Sequence, residues 1–405
     1  MKFVVAQLGA RMHYAVPRIL WKRHSLERLY TDIASIRMVG RFASVLRSTR
    51  LPSVRRLNGR APEGIPEAAI HHFPIFGLQY RLRSWRAQTP TEKTANHLWA
   101  GPQFCRQVAE AGFGRAGGVY VFNSAGREVL ERAKEQGLYR VLEQTIAPHR
   151  LYERLFREEI AAWPGWEVFS PQDDLADEII AREESEWPLA NEIVCGSRFV
   201  AESMEQVMPT AAKCTVVPYG VDRRPVTPRR WKSEEGFNVL FCGRVSLIKG
   251  VPYLVAALRK LDSRRIHCRV AGEVFLDAGA ARDLGTVAEV VGAVPRSEIS
   301  QLYDWADVFV LPTLCEGSAT VCYEALASGL PVITTPNAGS VVRDGIDGFI
   351  IPIRDSHALA GALERLASDR ALYESMSRNA LERSAEFTLE WYARRLGNAL
   401  GLDQK

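Results

Sequence analysis

Residues 307–333 decide the fold class, and they run DVFVLPTLCEGSATVCYEALASGLPVI. The apolar run at 307–311 predicts a buried strand, and the loop after it leads into a helix that Gly329 closes as its C-cap. Another apolar run, at 331–335, follows that glycine directly. A strand, a helix and a second strand in this order predict a parallel βαβ unit.

The same alternation runs through the C-terminal half of the chain. Strands are expected at 238–242, 266–271, 288–291, 307–311, 331–335 and 348–351, with helices between them, among them 251–261, 297–303 and 320–328. Regular alternation of this kind predicts a parallel sheet covered by helices on both faces.

The N-terminal half shows a looser version of this pattern. It opens with an apolar run at Phe3–Ala6, a loop at Gly9 and a helical pattern at 15–23, which is typical of a doubly wound α/β domain. Further strands are expected at 28–31, 119–123, 140–145, 192–195 and 213–217, with helices at 35–48, at 126–136 and within 149–187, Ser197 as a helix N-cap, and an irregular loop at 49–66.

The chain length of 405 residues suits two domains. We expect a Rossmann-like domain at 1–222, a linker at 223–236 that holds two prolines and many charges, and a second Rossmann-like domain at 237–385. A C-terminal helix within 386–405 is expected to pack back toward the first domain. Ligands of open α/β sheets bind at the carboxyl ends of the strands, so a cleft between the two sheets is the expected site.

Composition narrows the class of protein. Hydrophobic residues make up 47% and charged residues 24%, as in globular proteins. The seven cysteines include no C-x-x-C pair, so we expect buried free thiols in a reducing compartment. The chain has neither a convincing signal peptide nor a run of ~18 apolar residues that could span a bilayer. We therefore expect a cytoplasmic protein, soluble or peripheral to a membrane.

The net charge of +5 is unevenly distributed. Residues 1–60 hold thirteen Lys and Arg but two acidic residues, a charge of +11, so the remainder carries −6. The basic region 11–60 has two interpretations that the sequence leaves open: contact with an anionic lipid surface or lipid-linked acceptor, and a solvated arginine-rich face. A polyanionic saccharide suits the same charge. No nucleic-acid partner is expected, because aromatic residues are not interleaved with the basic ones.

The first chemical signal follows the strand at 238–242. Gly243 allows close backbone approach, and Arg244 and Lys249 place two cations beside a helix N-terminus, which favours a diphosphate site. A surface loop with solvated charges explains the same residues equally well.

The second signal lies in the stretch quoted first. Glu316 falls in the loop and Glu324 in the following helix, and the N–H groups of 317–319 lie at that helix's N-terminus, where they favour an anion. Carboxylates at both ends suit hydrogen bonds from sugar hydroxyls. An exposed helix with two ordinary glutamates is the weaker interpretation.

Together these motifs resemble the retaining glycosyltransferases of family 4, which have the GT-B fold of two Rossmann-like domains. The resemblance rests on Gly-Arg-(x)4-Lys-Gly at 243–250, Glu-(x)7-Glu at 316–324, Asp-Gly-Ile-Asp-Gly-Phe at 344–349 and Val-Pro-Tyr-Gly-Val-Asp at 217–222. It covers the C-terminal half closely and the N-terminal half loosely.

The resemblance implies roles for individual residues. The catalytic residues would be Glu316, Arg244 and Lys249, and the substrate a nucleotide-diphosphate sugar, with no cofactor or metal. Arg244 and Lys249 would neutralise the diphosphate, Glu316 would contact the transferred sugar, and Glu324 would bind the ribose. The remaining donor-binding positions are Gly9, Gly243, Gly272, Val294, Gly317, Ser318 and Ala319. A glycan, a lipid-linked sugar or a small molecule would be the acceptor.

The sequence departs from the family in two places. Ser318 and Ala319 stand where the family often has an aromatic residue or glycine, which leaves the sugar preference open. The family's N-terminal-domain histidine has no unmistakable counterpart; the candidates are His13, His24, His71, His72, His97 and His149. No Asp-x-Asp suggests a metal, and Asp173-Asp174 is interpreted as a helix start. An epimerase or phosphorylase on the same scaffold and a catalytically silent nucleotide-sugar-binding protein remain alternatives.

Overall fold

A computed structural model describes residues 1–34, 62–167, 175–208, 213–222, 226–231 and 236–402. The helix expected at 35–48, most of the loop at 49–66 and the helix start at 173–174 lie outside these residues. The N-terminal domain has a seven-stranded parallel sheet in the order β3-β2-β1-β4-β5-β6-β7. Its strands are β1 (Phe3–Gln7), β2 (Leu26–Thr31), β3 (Ile70–His72), β4 (Gly118–Phe122), β5 (Tyr139–Gln144), β6 (Glu192–Cys195) and β7 (Lys213–Val216).

The C-terminal domain has a six-stranded parallel sheet in the order β10-β9-β8-β11-β12-β13. Its strands are β8 (Phe237–Cys242), β9 (Ile266–Ala271), β10 (Glu289–Gly292), β11 (Val308–Leu311), β12 (Val332–Thr334) and β13 (Gly348–Ile350). The two-domain parallel α/β architecture predicted from the sequence is therefore confirmed. Strand order reverses between β8 and β11 here and between β1 and β4 in the first sheet, and such switch points are where α/β sheets bind ligands.

Helices cover both sheets. In the N-terminal domain they are α1 (Ala15–Lys22), α2 (Pro74–Arg86), α3 (Pro90–Ala111), α4 (Arg127–Glu135), α5 (His149–Ala162), α6 (Leu175–Glu186) and α7 (Arg198–Val207). The C-terminal half contains α8 (Val251–Leu258), α9 (Ala278–Gly285), α10 (Ile299–Trp305), α11 (Thr320–Ala327), α12 (Ser356–Ser368), α13 (Arg370–Ala385) and α14 (Leu389–Ala399). Ser197 caps α7 as predicted, since its hydroxyl accepts the N–H of Val200 at 3.3 Å.

The central strand of the first sheet shows why its sequence is continuously apolar. Phe3 and Val5 of β1 belong to a cluster on one face of the sheet, whereas Val4 and Ala6 belong to a cluster on the other. Because a strand in the middle of a doubly covered sheet is buried on both faces, it shows no polar alternation.

The end of the described chain returns to the N-terminal domain. Tyr392, Leu396 and Leu400 are buried in the same cluster as Phe3 and Val5. The Arg395 guanidinium also donates to the Pro218 carbonyl at 3.1 Å. Helix α14 therefore joins the two domains non-covalently.

The described part of the linker is held on the C-terminal domain. The guanidinium of Arg229 donates to the carbonyls of Tyr303 at 2.8 Å, Asp304 at 3.0 Å and Ser328 at 3.2 Å. Three charge-assisted bonds of this kind fix the path of the chain as it enters β8. Among the residues described, no helix combines the length and the apolar content needed to cross a membrane.

Candidate active site

Two adjoining cavities lie in the cleft between the sheets. The C-terminal cavity has a volume of about 640 Å³ and is lined by the loops after β8 and β11. The N-terminal cavity, of about 670 Å³, is lined by residues that follow β1, β4, β5 and β7. Both are lined by His97, Ile146, His149, Ile179, Glu316, Ser318 and Thr320. The shared walls make the two cavities neighbouring halves of one site.

The loop after β8 brings a cation to the C-terminal cavity. Gly243 and Arg244 line this cavity, and the Arg244 side chain is exposed. Its guanidinium carbon lies 4.4 Å from the ring centre of Phe275, and the ammonium of Lys93 in α3 lies 5.9 Å from the same ring. The Phe275 ring therefore contacts one cation from each domain, and of these Arg244 lines the cavity.

Lys249 and Glu316 form an ion pair on the wall of the C-terminal cavity. Each side chain is mostly buried, with 18% of Lys249 and 17% of Glu316 exposed. The sequence assigned them to different parts of a ligand, whereas the structure joins them directly. Because a partly buried charge is costly without a partner, each residue holds the other's charge in the cleft.

The loop that carries Glu316 contacts the N-terminal domain. A Cβ atom on Gly317 would lie 1.9 Å from the Thr145 carbonyl oxygen, so this position admits glycine alone. The Ala147 N–H donates to the Glu316 carbonyl at 3.3 Å. The two domains therefore touch at the point where Glu316 faces the cavities.

The anion site predicted at residues 317–319 needs correction. The Ala319 N–H donates to the Ala338 carbonyl at 3.0 Å and is thus already engaged within the protein. The Ser318 hydroxyl bonds the buried Tyr323 hydroxyl at 2.7 Å, rather than being free for a ligand. Ser318 and Ala319 still line the C-terminal cavity, but the amides that remain for an anion are those of Gly317 and Ser318.

Glu324 lies further along α11 and does not line either cavity. Its Oε2 accepts a hydrogen bond from the Tyr303 hydroxyl at 3.0 Å, and its Oε1 lies 3.7 Å from the exposed Arg296 guanidinium. Burial raises the pKa of Glu324 above its usual value, while Arg296 and Tyr303 oppose this rise. Burial raises the pKa of the cavity residue Cys242, and the Glu324 carboxylate adds to this rise.

Besides Glu324, three predicted donor-binding residues lie outside both cavity linings: Gly9, Gly272 and Val294. The Gly9 N–H donates to Asp32 at 3.0 Å, and Gln7, Leu8, Arg11 and Met12 line the N-terminal cavity in its place. A Cβ on Gly272 would lie 1.7 Å from the Gly243 carbonyl oxygen, so strand-end packing explains this glycine. Val294 packs against the core. A glycine needed for packing and one needed for a ligand look alike in a single sequence.

Helix α5 holds the N-terminal domain against the C-terminal domain. The buried carboxylate of Glu159 accepts from the Tyr253 hydroxyl at 2.8 Å and from the Arg354 guanidinium at 2.6 Å. The indole N–H of Trp163 also donates to the Tyr253 hydroxyl, at 3.2 Å. These contacts fix the helix whose first residue is His149.

A buried carboxylate that the sequence did not single out holds His149 at the cleft. Only 1% of the Glu183 side chain is exposed. It accepts from the His149 N–H at 2.7 Å and the His149 ring Nδ1 at 2.9 Å, and from Gln144 and Asn123 at 2.8 Å each. Because an ionised carboxylate only accepts, Nδ1 carries a proton, which leaves Nε2 as the free nitrogen of the ring.

The electrostatics of this pair are mutually reinforcing. Burial opposes ionisation of Glu183, but the hydrogen bonds and charge of His149 lower its pKa below the usual value. Burial likewise opposes protonation of His149, but Glu183 raises the pKa of His149 above its usual value. Each partner thus favours the charged form of the other.

Of the histidines the sequence offered, the structure places His97 and His149 on the cavities. His97 bonds the Tyr80 hydroxyl at 3.2 Å, and burial, aided by His149, lowers its pKa. A sequence signal for Glu183 existed only as an acidic run in α6, a pattern that usually indicates a solvated helix face.

Three residues that line the N-terminal cavity, Gln7, Arg11 and Ser124, each have a buried polar atom that makes no hydrogen bond among the described residues. Arg11 Nε lies 3.8 Å from the carboxylate of the buried Glu143, and Arg11 Nη2 donates to the Thr145 carbonyl and the Tyr219 hydroxyl, both at 3.3 Å. The Arg11 guanidinium is therefore held by an ion pair and two hydrogen bonds on this wall of the cavity.

Metal coordination has no candidate in the part of the chain described. No group of three or more His, Cys, Asp or Glu side chains is arranged there to hold an ion.

A family model matches part of the C-terminal half. Residues 236–369 match the family model described as Glycosyl transferases group 1. The D-inositol 3-phosphate glycosyltransferase of Paenarthrobacter aurescens is 32% identical over 207 residues, which cover 44% of this chain and 50% of that protein. The glycogen synthase of Mycobacterium tuberculosis is 30% identical over 204 residues, covering 47% and 49%. The chain thus spans about half the length of the curated relatives it matches.

Solved structures match the whole chain. Sucrose-phosphate synthase from Thermosynechococcus elongatus superposes with a TM-score of 0.68 at 17% identity, over 99% of this chain and 98% of that one. Anabaena Alr3699/HepE, in complex with UDP and glucose, gives 0.60 at 16% identity and covers 99% of both chains. At such identities the likeness establishes the fold. The chain therefore has the GT-B fold, carries a Glycosyl transferases group 1 domain at residues 236–369, and has glycosyltransferases among its homologues.

Proposed function

We propose that this chain is a retaining glycosyltransferase of family 4 that moves a sugar from a nucleoside-diphosphate sugar to a hydroxyl acceptor. The observation that carries the proposal is the Lys249–Glu316 ion pair, which lies beside Arg244 on the wall of the cleft between two switch points. A cation for phosphate and a carboxylate for sugar hydroxyls are the two groups that such a donor requires.

The donor diphosphate binds at Arg244 and Lys249. When a diphosphate approaches, its oxygens replace the Glu316 carboxylate as partner of the Lys249 ammonium. Glu316 is then released to accept hydrogen bonds from the transferred sugar, while the Gly317 and Ser318 amides face the phosphate. The complex of HepE with UDP and glucose supports a donor of this chemical class for the shared fold.

The ribose binds at Glu324. The Tyr303 hydroxyl holds Oε2 of this carboxylate, and Arg296 lies 3.7 Å from Oε1. A carboxylate fixed at one oxygen offers the remaining lone pairs in a defined direction, which suits the paired hydroxyls of a ribose.

Transfer proceeds with retention and without a protein nucleophile. The bond between the anomeric carbon and the phosphate oxygen breaks, the acceptor oxygen attacks the same face, and the acceptor proton moves to the departing phosphate. Arg244 and Lys249 stabilise the charge on that phosphate, so they supply what a metal ion supplies elsewhere. The free Nε2 of His149 is positioned to bond the sugar or the phosphate from the N-terminal side.

The acceptor binds in the N-terminal cavity. Its lining includes the polar residues Gln7, Arg11, Asn123 and Ser124. Polar side chains on one wall favour a polyhydroxyl acceptor such as a glycan, a lipid-linked sugar or a small polyol.

A thermal-shift panel of nucleoside-diphosphate sugars, followed by NMR of the product, tests the proposal. A ligand that binds the folded state alone raises the melting temperature. At a free ligand concentration of 100 times its Kd, the free energy of unfolding rises by about 2.7 kcal/mol. We expect one nucleotide to stabilise the chain, slow release of free sugar without acceptor, and an axial product from an axial donor. Stabilisation without any turnover would indicate a binding protein, and an inverted product would refute retention.

A further inference from the structure

Helix α2 presents a stripe of large apolar side chains to solvent. The exposed fractions are 76% for Ile75, 67% for Leu78, 44% for Leu82 and 75% for Trp85. Their spacing of three, four and three residues places all four on one face of the helix. Over 13 residues the helix extends about 20 Å at 1.5 Å per residue. A continuous exposed stripe of this kind marks an interaction surface, since isolated exposed residues are normal but a row of them is not.

The opposite side of α2 belongs to the site already described. Phe76 is buried among aromatic side chains, and Tyr80 lines the N-terminal cavity and bonds His97. The apolar stripe therefore lies on the outer side of a helix whose inner side forms part of the cavity wall. Whatever binds the stripe is held beside the cavity.

The charge of α2 is entirely positive. Its sequence, PIFGLQYRLRSWR, contains three arginines and no acidic residue. Arg83 and Arg86 are exposed, and Arg83 is braced by the Trp99 ring at 4.5 Å and by Asn96 at 3.3 Å. Apolar side chains flanked by arginines, with a tryptophan among them, match the headgroup region of an anionic bilayer. A second copy of the chain would bring the same cations and no carboxylate from this helix.

We propose that α2 is the docking surface for an anionic lipid bilayer. The helix lies in the plane of the interface, with Ile75, Leu78, Leu82 and Trp85 among the headgroups and upper acyl chains and Arg83 and Arg86 at the lipid phosphates. The sequence leaves a membrane contact at the basic region 11–60 open, and residues 35–60 of that region lie outside the described residues; α2 supplies a membrane contact independently of it. Docking here places the N-terminal cavity next to the bilayer.

Flotation of the full chain with phosphatidylcholine vesicles, with and without 30% phosphatidylglycerol, is the test. We expect binding to the anionic vesicles that weakens as salt is raised, because the arginine contribution is screened. The double variant Leu78→Ser/Trp85→Ser should reduce binding by about tenfold or more, the size expected when two large apolar side chains lose their burial. Trp391→Ser is the matched control, since Trp391 is 45% exposed on α14, and it should bind like the wild type.

Two further measurements keep the result interpretable. Thermal unfolding should be unchanged in both variants, because the replaced side chains are exposed. Light scattering without lipid should give the same mass for all three proteins. Equal flotation of the double variant and the wild type would overturn the proposal, as would no flotation of the wild type at low salt. A mass that halves in the double variant would assign the stripe to a second copy instead. Flotation requires no donor, so its failure leaves the proposed transfer untouched.

Discussion

The two walls of the cleft are built in different ways. On the C-terminal wall, the functional groups come from two short stretches, 243–250 and 316–324, each a loop after a strand at the switch point. On the N-terminal wall, they come from positions as distant as Gln7, Asn123, His149, Glu183 and Tyr219. Functional residues that lie close together in one loop can be recognised from a sequence. Functional residues that come from distant parts of the chain and meet in a buried network can be recognised only from the fold.

The walls also differ in how they hold charge. The C-terminal wall has an ion pair, Lys249–Glu316, that a ligand can separate. The N-terminal wall has a carboxylate, Glu183, that is fixed by four hydrogen bonds and cannot reach a ligand. We therefore expect substitutions on the first wall to affect chemistry more than folding, and substitutions in the Glu183 network to affect both.

The largest effect is expected from Lys249→Ala. Turnover should fall by ~10²-fold or more, as for one lost transition-state donor, while the melting temperature falls less than in Glu183→Ala, because Glu316 is only partly buried. Lys249→Arg keeps the charge and should recover part of the rate, which separates loss of the cation from loss of packing. Steady-state rates at saturating donor give the comparison, and near-normal turnover of Lys249→Ala would refute its role.

Glu183→Ala should cost stability as well as rate. Removing one partner of a buried charged pair typically costs about 3–5 kcal/mol, here because Asn123, Gln144 and His149 all lose their acceptor. Urea unfolding measures the loss, with Glu178→Ala, at an exposed position of the same helix, as the control. A stability equal to that of the control would show that the network does not hold the wall.

Glu324→Gln should weaken donor binding by about tenfold, the loss of one or two hydrogen bonds to a charged group. The loss should be larger for ribonucleotide donors than for 2′-deoxy donors, which already lack one of the two hydroxyls. Tyr303→Phe keeps the carboxylate but removes its 3.0 Å hydrogen bond, and it should have a smaller effect. Equal weakening of both donor types by Glu324→Gln would place Glu324 away from the ribose.

The pH dependence of stability should report the His149–Glu183 pair. The pKa of His149 is raised above 6.5. Its contribution to the free energy of unfolding is therefore complete below pH 6.5 and is lost as the pH rises through the raised pKa. The pKa of Glu183 is lowered below 4.5, so its contribution is complete above that pH and is lost as pH falls. The His149–Glu183 pair therefore contributes most to the stability of the folded protein between about pH 4.5 and 6.5.

Unfolding free energies of the wild type and Glu183→Gln, taken across pH 4 to 9, test this window. His149 also faces Glu153, Glu186 and His97, and all three remain in the variant, so the difference isolates Glu183. A difference between the two proteins that is flat across pH would show that the pair is not charged.

The smallest effect is expected from Ser318→Ala. Its hydroxyl bonds Tyr323 in a buried position, so stability should fall by about 1 kcal/mol while donor affinity stays within about twofold. Thermal unfolding and donor titration measure the two quantities. A large loss of donor affinity would restore the ligand contact that the sequence suggested for Ser318.

The parallel α/β fold could be predicted because strands buried on both faces, such as β1 and β11, give continuous apolar runs between helical patterns. Strand β3 was missed because it has three residues, two of them histidines. Helix α2 was missed because its large apolar residues lie on the exposed side as well as the buried side, so they do not form the single apolar face that the helical period would show.

The candidate site likewise has residues that the sequence predicts and residues that it does not. Gly243, Arg244, Lys249 and Glu316 line the cleft because loops at a switch point share one end of the sheet. The Ala319 amide is engaged by the Ala338 carbonyl and Gly272 packs against the Gly243 carbonyl, and neither contact shows in the sequence because the carbonyls belong to other loops. A donor-binding role for Gly272 stays a prediction. Glu183 was missed because burial of an acidic side chain is decided by tertiary packing.

The most direct test of the account is calorimetric titration of nucleoside diphosphates, UDP, GDP and ADP, into the wild type and Lys249→Ala. We expect the wild type to bind one diphosphate saturably. Binding should be about tenfold or more weaker in Lys249→Ala, because a charge-assisted phosphate contact is lost. The matching monophosphate should bind more weakly and should be less sensitive to the substitution. Failure of every diphosphate to bind the wild type, or equal affinity for both proteins, would contradict a diphosphate site at Arg244 and Lys249.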